Sequence, residues 1–319
     1  MYKVFCSPIF HIANCISKIF LELFVFDRQI RRILKGKFAK LYLQKYVRKA
    51  NKIYVPNKDK TKPSHIIWQY WEQGLENAPD IVKQCVASVE KYKNGNKHII
   101  LDKNTISDYI TIPDFISKMN EKGIIKSAHF SDYVRTALLA EYGGTWIDAT
   151  VLLSDNLPKY VTNADLFVFQ NELRNDLDGL NFANYFISAK PHNEIIEKMK
   201  LILEMYWKEN NFVNNYFFYL HAFTLLSQST KELMAQFAKI PFFSFIPVQR
   251  FQGELLTPFS EERWKQIKSM SFAHKLSYKV NVLSKHKPIM AKGTFYEKLY
   301  DGELIAEPKT VSEPNEKSQ

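Results

Sequence analysis

The sequence predicts an α/β fold, and three observations carry that prediction. A β-rich run, a helix-periodic stretch and a second β-rich run follow one another between residues 65 and 101. A longer helix-periodic stretch, 127–142, stops at a Gly-Gly pair and passes into an apolar run that ends in Asp148. Hydrophobic residues make up 46% of the 319 residues and aromatics 14%, far above a disordered composition and enough for a sizeable core.

Taken in order, the N-terminal fifth stands apart by charge. Residues 1–62 hold 15 Lys and Arg against 3 acidic residues, while the other 29 basic and 30 acidic residues nearly cancel. The net +11 therefore belongs to one end, which argues against a body-wide nucleic-acid surface and for a single basic device. No base-reading module accompanies it, so no nucleic-acid partner is expected. Ile9 to Phe26 is apolar but interrupted by Asn14, Ser17, Lys18 and Glu22, a poor bilayer span. No small-residue cleavage site follows it, so no signal peptide is expected.

From Asp27 to Lys49 apolar and basic residues interleave. Ile30, Ile33, Leu34, Phe38, Leu41 and Lys45 recur at about helical spacing, with Arg31, Arg32, Lys35 and Lys49 largely elsewhere on the wheel. Such a helix either packs on the domain with its charges in water or lies on anionic lipid, where each basic residue adds about 1 kcal/mol. The one-sided charge favours the lipid reading, hence a protein held peripherally at a membrane surface. The expected organisation is a basic amphipathic region over 1–62, a main domain over 63–307 and a polar tail over 308–319. Cys6, Cys15 and Cys85 form no paired framework and no metal-binding spacing, which reads as thiols in a reducing compartment.

Lys58 to Pro63 reads as a polar linker, and His65-Ile-Ile-Trp68 as the first strand. In Ala78 to Tyr92, Ile81, Val82, Cys85, Val86 and Val89 have helical spacing, and Pro79 suits a helix start. Asn94-Gly-Asn96 turns the chain into a second strand, His98 to Leu101. A strand–helix–strand unit is the pattern of a parallel sheet. Leu166 to Gln170 reads as a further strand, with Asn171 and Glu172 at its end; Asp176 and Asp178 fall in a polar loop.

The chemistry concentrates in one span. Asp132 and Arg135 lie three apart and share a face of the 127–142 helix. Gly143-Gly144 then turns the chain into a short strand that delivers Asp148 to its C-terminal end, where open α/β sheets hold their ligands. Singly, each has a plain reading: a solvated helix ion pair, or a turn-forming Asp. Their co-occurrence is what points to a site.

The run Ala128-x-x-Ser131-Asp132-x-x-Arg135-x-x-x-Leu139-x-x-x-Gly143-Gly144-x-x-x-Asp148-x-x-Val151 resembles the core of sugar transferases with a DXD-type motif, including glycosyltransferase family 32 and, closest, the capsular polysaccharide synthesis branch. His65 to Gln69, Leu101 to Asn104, Asn215 to His221 and His274 to Tyr278 resemble weaker blocks of those families, so the likeness covers about 63–280. It implies a GT-A (Rossmann-like) fold with a central mixed sheet. It also implies a nucleotide-sugar-dependent hexosyltransferase of the retaining kind, taking a glycan or lipid-linked oligosaccharide as acceptor at the cytoplasmic face of the inner membrane.

By the same resemblance Trp68 packs on the nucleobase, and Asp132 and Arg135 hold the sugar and diphosphate. Asp148 lies by the ribose and a metal–diphosphate group. Ser131, Gly143, Gly144 and His274 join the substrate-binding set. The implied cofactor is Mg²⁺ or Mn²⁺ on Asp148 and Thr150. One departure is plain: Thr150 stands where a full DXD motif has its second carboxylate, so either Asp148 works with another oxygen ligand, Asp155 or a downstream side chain, or the metal is bound weakly.

His129, beside the motif helix, suits either the pocket or the core, and His221, in an aromatic run, suits the core. Lys275, next to His274, is a late basic residue that could meet a diphosphate. There is no Walker A loop, GxGxxG, HExxH or GxSxG, so nucleotide hydrolysis, dehydrogenation and zinc or serine hydrolysis lack their marks. The competing expectation is a non-catalytic sugar-nucleotide- or glycan-binding component of a capsule assembly complex, with Thr150 as the trace of lost metal chemistry.

Overall fold

The computed structural model describes residues 27–55, 62–171, 180, 182–279 and 292–305. The readings made at Ile9–Phe26, Cys6, Cys15, most of the 58–63 linker, Glu172, Asp176, Asp178 and the 308–319 tail lie outside the described residues.

The first described element is a long helix, α1 (Arg28–Ile53). Asp27 caps it, its Oδ1 accepting from the backbone N–H groups of Gln29 at 2.8 Å and Ile30 at 2.9 Å. Its buried stripe is Gly36, Ala39, Tyr42, Leu43, Tyr46, Val47 and Ala50. This differs from the stripe the spacing suggested, since Ile30, Phe38 and Leu41 are 51%, 48% and 62% exposed. The physical reason is the size of the aromatic contact. Tyr42 and Tyr46 pack edge-on to Tyr206, and Asn210 Nδ2 donates to the Tyr46 hydroxyl at 2.7 Å. The helix shares one core with residues beyond 63.

The strands are β1 (Ile66–Tyr70), β2 (Lys97–Leu101), β3 (Gly144–Ile147), β4 (Val151–Leu153), β5 (Leu166–Gln170), β6 (Phe182–Ala189) and β7 (Ala273–Lys275). The helices after α1 that matter here are α2 (Asp80–Tyr92), α3 (Asp114–Glu121), α4 (Ser127–Tyr142), α5 (Glu194–Glu209) and α6 (Phe218–Ser227). Five strands form one sheet in the order β2-β1-β3-β6-β5, with β1 parallel to β2 and β3 and the β3–β6 and β5–β6 pairs antiparallel. The fold is therefore α/β with a central mixed sheet flanked by helices. β4 and β7 make a separate antiparallel pair, matching Leu152 with His274.

Alternation along the strands divides the interior. Trp68, Tyr70, Trp146 and Ile187 share a core with α1, α3, α4, α5 and α6. Ile67, Ile147, Phe167, Phe169 and Phe186 fill the opposite core with Val89 of α2. Side chains of this size each contribute roughly 1.5–3 kcal/mol when fully buried.

Gly143 and Gly144, at φ +63° and +96°, make the tight passage from α4 to β3. A Cβ on Gly144 would collide with the Ile66 carbonyl, and one on Gly143 with Pro191. The pair acts through the backbone, by letting β3 lie against β1. Neither glycine lines the large cleft described next.

Candidate active site

A cleft of about 620 Å³ opens beyond the C-terminal ends of β1 and β3. Ser131, Asp132 and Arg135 of α4, Asp148 and Thr150 after β3, Asn184 and Tyr185 of β6, and Lys275 of β7 all border it. Four of these carry charge, and the four are wired together.

Arg135 is the hub. Its Nη1 lies 3.0 Å from Asp132 Oδ1 and donates to the Asn184 carbonyl at 2.8 Å. Its Nη2 donates to Asp148 Oδ1 at 3.1 Å and to Ser131 Oγ at 3.3 Å. The guanidinium also lies over the Trp146 ring, 5.2 Å from its centroid. Burial opposes its charge, but Asp148 and Asp132 more than offset this and leave it more strongly basic than a free arginine.

Asp148 is clamped from three sides. Trp146 Nε1 donates to Oδ1 at 2.8 Å, and Lys275 Nζ donates to Oδ2 at 3.0 Å. Burial pushes its carboxyl up, but Lys275 and Arg135 outweigh burial and hold the group at about 2. Lys275 Nζ also donates to Thr150 Oγ1. Asp132 is steadied by Asn184 Nδ2 at 2.8 Å and has His129 Nδ1 at 3.5 Å from its Oδ2. Two aspartates, an arginine and a lysine thus form one preorganised charge cluster at the mouth of the sheet.

Several expected site residues sit elsewhere. Trp68 is fully buried: its Nε1 donates to the Gly143 carbonyl at 2.8 Å and its ring packs on Tyr109 and Tyr142. It joins β1 to the end of α4 and offers no face to a nucleobase in this arrangement. His274 is likewise a core residue, bonded to Ser154 Oγ at 2.9 Å and packed on Phe251 and Trp264. Burial lowers it to about 3. Alternation along β7 turns the next residue, Lys275, into the cleft instead. His221 is buried too, and lowered to about 4 by that burial.

The expected cation site at Asp148 and Thr150 is crowded by protein cations. Both Asp148 oxygens face a protein cation, the Thr150 hydroxyl takes the same lysine, and Asp155 caps its own turn by accepting from the Asn156 N–H. Among the described residues no group of three His, Cys, Asp or Glu could hold a metal ion. One carboxylate and one hydroxyl, both already on an ammonium, do not fit a divalent cation.

The family model for "Capsular polysaccharide synthesis protein" matches residues 22–299. The chain belongs to the capsular polysaccharide synthesis protein family. The match extends further than the quoted motifs did and takes in α1 as well as the cleft. Among curated proteins, this chain is similar to an uncharacterized glycosyltransferase of Acanthamoeba polyphaga mimivirus, 23% identical over 47% of this chain and 58% of that protein. It is 25% identical to the O-glycosyltransferase braB of Annulohypoxylon truncatum over 44% of this chain and 37% of that one. The glycosyltransferase afumC of Aspergillus fumigatus is 26% identical over 44% of this chain and 40% of its own length. The chain thus covers only about two fifths to three fifths of these relatives. A solved PaToxG glycosyltransferase is similar at a TM-score of 0.36 and 16% identity, over 76% of this chain and 95% of that one.

Proposed function

We propose that this chain is a nucleotide-sugar-dependent glycosyltransferase of the GT-A type acting in capsular or other surface polysaccharide synthesis. The observation that carries the reading is the Asp132–Arg135–Asp148–Lys275 cluster in a cleft outside the carboxyl ends of parallel strands. The glycosyltransferase names of the curated relatives support it. The donor is a nucleoside diphosphate sugar and the acceptor a glycan or lipid-linked oligosaccharide.

In this reading the carboxylates of Asp132 and Asp148 hold sugar and ribose hydroxyls, and Arg135 fixes both carboxylates. The bond from the anomeric carbon to the diphosphate breaks, and its electron pair leaves on the phosphate oxygen. The acceptor hydroxyl bonds the anomeric carbon on the same face, which retains the configuration, and its proton passes to the departing diphosphate. Lys275 supplies positive charge where that diphosphate becomes more negative. No step is assigned to Mg²⁺ or Mn²⁺, since a cation on Asp148 would first have to displace Lys275.

No helix of the described residues is long and apolar enough to cross a membrane. We assign a peripheral place at the cytoplasmic face of the inner membrane to the exposed Ile30, Phe38 and Leu41 of α1 and its neighbouring cations.

The test is a thermal-shift screen of UDP-, GDP- and CMP-sugars with and without Mn²⁺, followed by turnover with membrane acceptors. The cognate donor should raise the melting temperature by mass action, and Asp148→Ala and Asp132→Ala should abolish both effects. No turnover together with equal complementation by wild type and variants would leave the non-catalytic component as the surviving reading.

A further inference from the structure

Gln69 is fully buried in β1, on the face where Ile67 and Ile147 build a core with Val89 of α2. An apolar side chain would pack there, and a buried amide is costly unless its hydrogen bonds are made. They are made, and they lead toward the cleft. Gln69 Nε2 donates to the Asp148 carbonyl at 3.4 Å, and Gln69 Oε1 lies 2.8 Å from His98 Nε2. The His98 side chain, in β2, is 1% exposed, and its Nδ1 lies 3.0 Å from Glu90 Oε2 of α2. A polar line thus crosses one face of the sheet, from α2 through β2 and β1 to the turn after β3.

The chemistry of the groups gives each bond its direction. A carbonyl can only accept, so Gln69 turns its NH₂ group to Asp148 and its oxygen to His98. The imidazole must then carry a proton on Nε2. The imidazolium and one of the two neutral tautomers both do so, and the bond to Gln69 therefore stands in either charge state. Glu90 is exposed and shares its carboxylate with Lys93, so it orients the ring from outside without being required.

The turn does not need Gln69 in order to form. The Asp148 carbonyl also accepts from the Val151 N–H at 2.9 Å, and the Asp148 N–H donates to the Tyr185 carbonyl at 2.9 Å. What Gln69 adds is a hold from β1, opposite the one from β6. The Asp148 carboxylate has to meet Trp146, Arg135 and Lys275 together, so a small rotation of its backbone would break that set. Neither Gln69 nor His98 lines the cleft, and any effect they have there passes through Asp148.

We propose that Gln69 and His98 are positioning residues: the His98 Nε2–H group orients the Gln69 amide, which fixes the Asp148 turn so that its carboxylate meets its partners. The kinetic consequence rests on the sugar-transfer reading of the cleft.

The test compares Gln69→Leu, His98→Phe and the double variant, with Glu90→Gln as a control. Each single change strands one buried polar group and should lower stability. The double change replaces both partners by apolar groups of similar shape, so melting should return to within about 2 °C of wild type. Transfer should not return with it. With the nucleoside diphosphate sugar that thermal shift identifies, kcat/KM should fall about tenfold or more in each single variant and no further in the double. KM for the acceptor should stay within about twofold, as should every constant of Glu90→Gln. A second readout needs no turnover: the Trp146 Nε1–H resonance, which reports its bond to Asp148, should move in Gln69→Leu and in the double variant.

If kcat/KM recovers in the double variant together with stability, the pair is structural and the proposal is overturned. A Trp146 resonance that stays in place in both variants overturns it as well. If wild type turns over no sugar nucleotide yet the Trp146 resonance moves as expected, the hold on Asp148 stands and the sugar-transfer reading falls.

Discussion

The large cleft around Asp148 and the outer face of α1 differ in how their charges are held. In the cleft, Arg135 and Lys275 face Asp132 and Asp148, and the four make one network with no net charge. On the outer face of α1, Ile30, Phe38 and Leu41 are exposed beside basic residues of the same helix. A self-neutralised cluster is rigid and presents fixed dipoles to a ligand that is itself neutral at its reacting end, such as a sugar. Its residues depend on one another, so the loss of one is felt by the rest, whereas exposed side chains act singly.

Removing the hub of the balanced cleft should have the largest effect. Arg135→Ala leaves the buried Asp132 and the half-buried Asp148 without their shared cation. Breaking a buried pair in this way costs about 3–5 kcal/mol. The melting temperature should drop by roughly 10 °C, and transfer should fall by ~10³-fold or more. Arg135→Lys should restore stability in part and activity very little, because an ammonium cannot fork between Asp132 and Asp148. Melting curves and kcat/KM with the cognate donor check both. Near-normal turnover in Arg135→Ala would remove the hub from the mechanism.

Lys275 comes next. Wild-type turnover should survive EDTA within about twofold, and Lys275→Ala should lower it by ~10²-fold and make the remainder respond to Mn²⁺. Loss of all wild-type activity in EDTA would mean that a divalent cation, not the lysine, sits on Asp148 during transfer.

The reach of the sequence differed between these residues for identifiable reasons. Helix α4, the glycine pair and the strand into Asp148 were legible because local pattern and turn chemistry agree there: Gly143 caps the helix at a positive φ, and β3 begins at once. Asp132 and Arg135 followed from helical spacing alone. Lys275 was harder, because a three-residue strand carries too little pattern to say which of two neighbours faces inward. His274 and Lys275 were separable only through the pairing of β7 with β4. Asn184 carries only a faint signal, an amide in the mostly apolar run Phe182 to Ala189. In α1 two stripes had helical spacing, and only tertiary contact could choose the one with Tyr42 and Tyr46.

Acid should separate activity from stability. Asp148, at about 2, stays ionised down to roughly pH 4 and puts no acid limb on activity above that. Its folded value lies below the unfolded one, so its stabilising share is full above roughly pH 4 and is lost as pH falls toward 2. His274 behaves differently: with a folded value of about 3 against 6.5 unfolded, the unfolded chain takes up the proton first. Stability should therefore decline as soon as pH falls below about 6.5, by about 2 kcal/mol at pH 5. His274→Gln, which keeps a polar partner for Ser154, should remove its share of that decline and leave the share of His221, which burial lowers to about 4. A wild-type melting temperature that is level from pH 7 to 5 would refute the assignment of a neutral His274.

The smallest effect on the folded chain should come from the outer face of α1. Phe38→Glu/Leu41→Glu changes two exposed side chains, so melting should move by no more than about 0.5 kcal/mol per site. Binding to phosphatidylglycerol vesicles should nevertheless fall by ~10-fold, since each substitution removes apolar area and adds a repelled charge. Turnover of a soluble acceptor should not change, because Phe38 and Leu41 are not among the residues that line the cleft around Asp148. Vesicle binding that survives the double substitution would remove the outer face of α1 as the membrane contact.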